Sequence, residues 1–305
     1  MNGTHALIVL GGYVDVDKYR YVYFVFLLIL YVFIICCNCT IICVVWLHRN
    51  LHEPMYVFIA ALSVNSLLFS TAIYPKLFVD VLSQSQTVSR AACMSQLFFF
   101  YTLAASDFLL LSAMAYDRYV SICKPLQYAT TMGASTVTVF LVLAWFLPAC
   151  QIAVATVLNA KQKMCKFVLK GIFCNTSVNM LHCVRSKTLV TYGAFIFINI
   201  GVVPVLFILY TYIKIFLVVF RRCNRVREKA AETCVPHMMV LISFSCLVAF
   251  DIIVSRMEPE LPKRVHVIMM LQIVVYNPLF NPIIYGVKMK EIWKHIRKSF
   301  AHHGK

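Results

Sequence analysis

A single carboxylate interrupts one of the long apolar stretches of this 305-residue chain. Asp107 lies within Ala91–Tyr116, a stretch that otherwise carries no charged side chain. An acidic group at such a depth is expensive, and its chemistry is that of a buried acid that holds a proton, a cation or a set of hydrogen bonds. Asp107 is therefore the first candidate functional residue.

Two adjacent charged residues directly follow the same stretch. Asp117 and Arg118 are adjacent, and Arg118 lies at a predicted helix end where its guanidinium can reach water. Asp117 can hold Arg118 in an ion pair that opens and closes. The alternative is that Arg118 is a basic anchor at the membrane surface without a switching role.

Other chemistry is disfavoured by what the sequence lacks. We find no paired acids and no His/Glu zinc spacing at one depth, and the thirteen cysteines show no two CxxC pairs at zinc spacing. These absences argue against an enzyme or a metal centre. No internal repeat and no matched pair of broken spans supports a transporter or a channel.

The composition explains how these residues are positioned. Hydrophobic residues make up 61% of the chain and charged residues 13%, whereas soluble domains have roughly 45–50% and about 25%. A helix needs about 20 apolar residues to cross a bilayer, and barrel-type alternation is absent. We predict an all-α membrane protein, a bundle of seven transmembrane helices, at Tyr21–Leu47, Pro54–Pro75, Ala91–Tyr116, Thr136–Leu158, Thr188–Ile213, Thr233–Phe250 and Val265–Val287.

Charge and sequons give the orientation. The net charge of +16 would suggest nucleic acid in a soluble protein, but beside membrane spans it predicts orientation and contact with anionic lipid. One side holds 15 basic residues, and the other holds 7 once the long loop Asn159–Lys187 is set aside. We therefore expect a cytoplasmic C-terminus, an extracellular N-terminus and glycans at Asn2 and Asn175. Asn38 starts a third sequon that lies inside a span and should be silent.

This orientation divides the chain into three parts. Residues 1–20 are the predicted extracellular segment, which is too short and too charged for a signal peptide. Residues 21–286 form the membrane domain. Residues 287–305 form the inner tail, in which Met289, Ile292, Trp293, Ile296 and Phe300 recur every three or four positions between basic residues. That spacing predicts an amphipathic helix on the inner leaflet.

The string Met114–Tyr128 (MAYDRYVSICKPLQY) at the inner end of the third span resembles the signature of olfactory receptors within the rhodopsin-like G-protein-coupled receptors. Nearly the whole chain supports the resemblance. Leu51–Tyr56 opens the second span, Lys229 to His237 the sixth, and Asn281–Tyr285 closes the seventh. Asn65-Ser66 and Tyr74-Pro75-Lys76 in the second span look more like receptors of fish.

The resemblance implies a switch at the inner face. Release of Arg118 from Asp117 would free it to meet an inserted helix of the G protein, and Tyr212 and Tyr285 would swing inward. Pro282 removes one helix hydrogen bond, and we expect Asn281 or a water to satisfy the freed carbonyl. Residues assigned to the switch are Asp117, Arg118, Tyr119, Tyr212, Asn281, Pro282 and Tyr285. Pro204 in the fifth span is expected to kink its helix in the same way.

The family usually has glutamate at Asp107 and an aspartate in the second span, where this chain has Ser66. The resemblance implies a possible sodium site of Asp107, Ser66, Asn277 and Asn281 that has lost one carboxylate. A protonated Asp107 hydrogen-bonded to the same side chains is equally open. No other cofactor is expected. Two disulfides are implied by the resemblance, Cys93–Cys174 and Cys165–Cys183.

Ligands of this fold lie between the outer halves of the third, fifth, sixth and seventh helices. Such a pocket is mostly apolar with one tyrosine hydroxyl, which suits a small organic molecule. Its predicted residues are Phe100, Tyr101, Ala104, Ala105, Phe108, Phe197, Ile200, Ser245, Val248, Ala249, Ile252, Arg256 and Leu271. Arg256 can bind an anionic odorant, or it can pair with Asp251, Glu258 or Glu260 at the rim.

The resulting hypothesis is an odorant receptor of the plasma membrane. It would catalyse nothing, bind a small-molecule odorant, touch membrane lipid and activate a heterotrimeric G protein of the stimulatory, cyclic-AMP-raising type. The basic cluster Arg221, Arg222, Arg225 and Arg227 fits that protein or anionic lipid. The alternative is a non-olfactory rhodopsin-like receptor for an amine, a peptide or a lipid.

Overall fold

The computed structural model describes residues 7–13, 16–220, 234–249 and 263–303. These residues form helices joined by connections of which the long outer loop between α4 and α5 is one, with a small sheet on the outer side. The helices are α1 (Val16–Leu47), α2 (Pro54–Leu82), α3 (Arg90–Cys123), α4 (Ala134–Ala160), α5 (Lys187–Phe220), α6 (Cys234–Ala249), α7 (Lys263–Lys288) and α8 (Lys290–His303), and the strands are β1 (Leu7–Leu10), β2 (Thr87–Ser89) and β3 (Val168–Leu169).

Every predicted span is helical over the residues that the structure describes. Six of the described helices are long and apolar enough to cross a membrane, and α6 is a shorter apolar helix in its described part. The predicted all-α membrane bundle is confirmed. The helices run beyond the apolar stretches because their polar ends extend out of the hydrocarbon; α1, for example, begins at Val16 and pairs Asp17 with Arg20 at 3.0 Å.

The bundle is organised around α3. Its most apolar window is 72% buried, against 22% in α4 and in α5, so α3 is the central helix and the latter two face lipid. One apolar core fills the inner half and the middle of the bundle, and a second, including Phe69, Phe100 and Phe173, fills the outer half. Asp107 and Asp117 on α3 are therefore both buried.

Helix α7 contains Pro282, which leaves the carbonyl of Pro278 without its helical donor. The structure supplies this donor from α1: Asn38 Nδ2 lies 2.9 Å from the Pro278 oxygen and 2.9 Å from the Ile34 oxygen. Our expectation that Asn281 fills this role is therefore wrong. Asn38 is fully buried, which also fits the prediction that its sequon is silent.

Pro204 lies near a local change in α5. The segment Phe197–Val202 is a π-helix, which inserts an extra residue into one turn just before the proline. A looser turn removes the conflict between the proline ring and the preceding carbonyls. The consequence for the predicted pocket is that inward positions before Pro204 cannot be counted with the α-helical period.

The outer side carries a sheet that the sequence did not predict. Strand β1 lies between β2, to which it pairs antiparallel, and β3, to which it pairs parallel, with Ile8 opposite Val88 and Leu10 opposite Leu169. Ile8 and Leu10 are buried in a third apolar core beneath the sheet. The segment before α1 is thus packed onto the outer loops.

Polar contacts fix the sheet to α2. Asp80 pairs with Lys76, whose ammonium also donates to the Thr87 oxygen at 2.9 Å. The hydroxyl of Tyr13 donates to the Ile172 oxygen at 3.2 Å and to Asp80 at 3.4 Å. Burial and the neighbouring Asp80 carboxylate raise the pKa of Tyr13, so this hydroxyl remains a donor at physiological pH.

Two disulfides hold the long outer loop. Cys93 at the start of α3 is joined to Cys174, and Cys165 is joined to Cys183, the pairings that the resemblance implies. The first ties the loop to the central helix and lies in the third apolar core, beneath the sheet. The second closes a short loop of its own.

At the inner end, α8 packs against the bundle as an amphipathic helix. Met289 and Ile292 are buried and Ile296 packs against the inner core, while Trp293 is about half exposed. The ring of His295 lies 3.9 Å from that of His48, measured between centroids. Burial and the charge of His48 lower the pKa of His295, which favours a neutral ring in this contact.

Candidate functional site: an inner polar network and an outer apolar cleft

The inner end of α3 is a closed ion pair. The guanidinium of Arg118 donates to Asp117 Oδ2 through Nε at 2.9 Å and again through its Nη2. The other carboxylate oxygen of Asp117 accepts from the hydroxyl of Tyr128 at 2.8 Å. Burial and the Asp117 carboxylate raise the pKa of Tyr128, so the hydroxyl keeps its proton. In this arrangement the Arg118 guanidinium is bound by Asp117, and Asp117 is bound in turn by Tyr128.

In the sequence, Tyr128 is only the last residue of the signature string and was not predicted to contact Asp117. It lies in the connection after α3, at the start of the single helical turn Tyr128–Thr131. Its contact reaches back over eleven residues. Sequence spacing alone gives no signal for that contact.

A second polar contact joins α5, α6 and α3. The hydroxyl of Tyr212 lies 2.5 Å from His237 Nδ1, and His237 Nε2 lies 3.0 Å from the backbone oxygen of Leu111. His237 is fully buried. Because a ring nitrogen that meets a carbonyl must carry the proton, Nδ1 accepts from the tyrosine. The sequence identifies His237 only as part of the motif that opens the sixth span, and its contacts are revealed by the structure.

The remaining switch residues lie beside these contacts. Tyr285 is fully buried, and its hydroxyl has no hydrogen-bond partner among the described residues. Asn281 Nδ2 reaches Ser66 Oγ at 3.5 Å. Tyr119 is partly buried, with the ammonium of Lys124 5.8 Å from the centre of its ring.

In the middle of the bundle, two amides hold Asp107. Asn65 Nδ2 donates to Oδ1 at 2.8 Å and Asn277 Nδ2 donates to Oδ2 at 2.6 Å. The oxygen of Asn65 accepts from Trp145 Nε1 at 3.0 Å, which brings α4 into the network. Neither Asn65 nor Trp145 was assigned to this cluster from the sequence.

This donor set can be compared with what sodium requires. A hard cation is bound by oxygen ligands, whereas the atoms presented to both Asp107 oxygens are amide N–H groups. The Asn65 oxygen is already occupied by Trp145, and Asn281 offers its N–H group to Ser66. The residues described here fit a hydrogen-bonded carboxyl group and do not fit a sodium site.

We call the predicted ligand region between the outer helix halves the outer cleft, and one part of it lies where α3 contacts the long loop. The hydroxyl of Tyr101 donates to Thr176 Oγ1 at 3.3 Å and accepts from the Thr176 N–H at 3.0 Å. Phe100 instead turns into the outer core, with ring centroids 5.3 Å from Phe69 and 5.2 Å from Phe173. Of these two predicted pocket residues, Tyr101 is the more open.

The floor of the cleft lies between α3 and α6. The rings of Phe108 and Phe244 are 4.7 Å apart, and the Ser245 hydroxyl is buried without a hydrogen-bond partner among the described residues. Ala104 and Val248 pack against the inner core. A buried hydroxyl in such surroundings is costly unless something bonds to it.

The other predicted pocket residues differ in burial. Ala105 and Ile200 are buried and Leu271 is partly buried, whereas Ala249 is exposed and Phe197 is 49% exposed. The inward position of Phe197 was counted with an α-helical period that the π-helical segment does not follow. Ile252 and Arg256 lie outside the described residues, as do Asp251, Glu258, Glu260 and the cluster Arg221, Arg222, Arg225 and Arg227.

The predicted glycan at Asn175 conflicts with the structure. Asn175 is 2% exposed, follows the disulfide-bonded Cys174 and uses its Oδ1 to accept from the Ser177 N–H at 3.0 Å. A glycan on its nitrogen has no room in this packing. Asn2, the other predicted site, lies outside the described residues.

We expect Asn175→Gln to leave the electrophoretic mobility of the receptor unchanged, because the buried side chain leaves no room for a glycan. Asn2→Gln is expected to remove the mobility shift produced by a glycosidase that cleaves N-linked glycans. A glycosidase-sensitive shift that persists in Asn2→Gln and disappears in Asn175→Gln would show that Asn175 is modified before the loop packs.

Comparison with known proteins supports the motifs. The family model described as "Olfactory receptor" matches residues 27–303. Olfactory receptor 51L1 of Homo sapiens is 33% identical over 87% of this chain and 85% of its own length. Olfactory receptor 51E2 of Mus musculus is 31% identical over 98% of this chain and 94% of its own. The family match extends from α1 to α8.

Proposed function

Because this chain belongs to the olfactory receptor family, we propose that its outer cleft binds a small, mostly apolar odorant and that its inner polar contacts restrain a stimulatory G-protein switch. Membership makes the protein a multi-pass receptor of the plasma membrane that binds odorants and couples to a G protein. It is not an enzyme. The proposal concerns the ligand class, the residues and the type of G protein.

The inner network carries the proposal. Asp117 and Tyr128 hold Arg118, while His237 ties α6 to Tyr212 on α5 and to Leu111 on α3. Movement of α6 away from α3 would have to break the His237 contact. Release of Asp117 would free Arg118, the one residue of the pair that can donate to the carbonyls of an inserted helix. A silent receptor is the state in which both contacts are closed.

The outer cleft supports the ligand class. The described residues assigned to it are mostly apolar, and the polar ones, Tyr101 and Ser245, carry hydroxyl groups, as does Thr176, which contacts Tyr101. Hydroxyl groups bind neutral donors and acceptors such as those of alcohols, aldehydes and esters. The buried Ser245 hydroxyl would gain its partner from the odorant. The inner helix α8 would rest on anionic lipid through its basic side chains.

The proposal also covers the state of Asp107. It would be held by the two amides without a bound cation, so that sodium has no direct role in the cluster. A receptor of this kind would show the same basal activity in sodium and in potassium medium at equal ionic strength.

A cyclic AMP reporter in cells expressing the receptor tests the switch. Odorants of the neutral class are expected to raise cyclic AMP in wild type, and Arg118→Ala is expected to remove that response because no cation remains to meet the G protein. Surface labelling of an N-terminal epitope must show equal receptor numbers. An Arg118→Ala receptor that signals as wild type does would contradict the assignment of the switch.

A further inference from the structure

The long outer loop carries basic side chains and no acidic residue of its own. Between residues 159 and 187 there are six lysines and arginines and no aspartate or glutamate. Five of the six flank the Cys165–Cys183 disulfide, and we call them the basic ladder: Lys161, Lys163, Lys166, Arg185 and Lys187. All five are exposed.

The ladder is held together by backbone contacts. The Cys183 N–H donates to the Lys163 oxygen at 2.9 Å, and the Cys165 N–H donates to the Leu181 oxygen at 2.9 Å. Met164 and His182 form an antiparallel bridge between the two runs. The disulfide and these bonds bring two basic segments, about twenty residues apart in sequence, side by side on one rigid hairpin.

The start of the hairpin is fixed to the bundle. Arg90 at the first turn of α3 donates to the backbone oxygens of Ala160, at 2.7 Å, and Gln162, at 2.5 Å. This contact fixes the backbone from which the ladder begins, and the ladder side chains are exposed. Its charges are presented outward in a defined arrangement.

Nothing in the described outer surface neutralises the ladder. The two acidic residues described there are already paired, Asp17 with Arg20 and the buried Asp80 with Lys76. Five fixed positive charges within one hairpin repel one another, and their repulsion falls when a polyanion covers them. The charges are therefore complementary to a ligand with several closely spaced negative groups.

The residue types favour a polysaccharide. Four of the five ladder residues are lysines, whose ammonium binds sulfate or carboxylate groups as a point charge. Protein interfaces are depleted in lysine and depend on buried aromatic anchors. A single small anion would occupy one or two of the charges. The outer face of the membrane is also not the leaflet that concentrates anionic lipid.

We infer that the basic ladder is a binding surface for a sulfated polysaccharide at the outer face of the receptor. The surface is separate from the odorant cleft and does not depend on the function proposed for it. Binding of this kind is driven by release of counterions from the polyanion, so it weakens as salt rises.

Soluble heparin, labelled with a fluorophore, serves as the probe on intact cells that express the full receptor and have been stripped of their own sulfated glycans. Intact cells expose only the outer face. Lys163→Gln/Lys166→Gln/Arg185→Gln is expected to weaken heparin binding by about tenfold or more at physiological salt. Lys294→Gln/Arg297→Gln/Lys298→Gln removes the same charge from α8 inside the cell and is expected to bind as wild type does.

Three further measurements make the result decisive. Surface labelling gives the receptor number for each variant, and Lys161→Gln/Lys187→Gln tests the ladder if the first variant does not reach the surface. Equal heparin binding by wild type and a ladder variant at equal surface number would overturn the inference. Displacement of heparin by polyglutamate at the same charge concentration would also overturn it, because the surface would then be one for acidic proteins.

Discussion

Replacing Asp107 with leucine is expected to lower the free energy of unfolding by about 2–6 kcal/mol, because two buried amides lose an acceptor worth roughly 1–3 kcal/mol each. The amides are those of Asn65 and Asn277, which approach the two carboxylate oxygens at 2.8 and 2.6 Å. Titration of the purified receptor with dodecyl sulfate in mixed micelles, followed by circular dichroism, measures the change.

Asp107→Asn is the matched comparison. Asparagine has the branching of leucine but retains one acceptor oxygen, so we expect it to lose about half as much stability. If leucine and asparagine destabilise the receptor equally, the hydrogen bonds are not the source of the effect, and the cluster would have to be stabilised by a charge that both variants remove.

Replacing His237 with phenylalanine is expected to raise basal cyclic AMP signalling strongly. The ring that packs 5.5 Å from Tyr212, centroid to centroid, is retained, but the bonds to Tyr212 and to the Leu111 oxygen are lost. Two such bonds stabilise the silent state by about 1–3 kcal/mol, and their loss shifts the equilibrium toward the active state by about 5- to 150-fold. The measurement is reporter output without odorant, divided by surface receptor number.

His52→Phe is the control for this substitution. His52 is exposed in the connection between α1 and α2, and its ring nitrogen lies 3.3 Å from the Trp46 oxygen. It makes no contact that joins α6 to other helices, so basal signalling should remain at the wild-type level. Unchanged basal output in His237→Phe would mean that α6 is restrained elsewhere.

The apolar stretches were sufficient to predict the bundle. Few backbone structures can cross the hydrocarbon of a bilayer, and each span can be recognised by the length of its apolar stretch. Asp107 within the third span and Asp117 directly after it could also be identified from the sequence, because the span is otherwise uncharged. The inner motif became interpretable only through its resemblance to a family. Spacing could not have placed His237 between Tyr212 and Leu111, because those contacts join three helices that are distant in sequence.

Other features of the structure cannot be predicted from hydrophobic periodicity. Strands of two to four residues, such as β3, give no alternation to detect, and β1 is recognisable only once its partners are in place. The donation from Asn38 to Pro278 spans 240 residues. The π-helical turn before Pro204 moved the expected face of Phe197, because a single added residue rotates every position before it.

Strand β1 has a consequence for how the receptor is made. Leu7–Leu10 precedes the other described elements in sequence, yet it pairs with residues 87–89 and 168–169, which are translated much later. Until α4 has been inserted and the loop behind it has followed, two buried side chains of that strand, Ile8 and Leu10, have nothing to cover them. Strand β1 can therefore pack only after elements far behind it in the sequence have been made, and until then its two apolar side chains stay exposed.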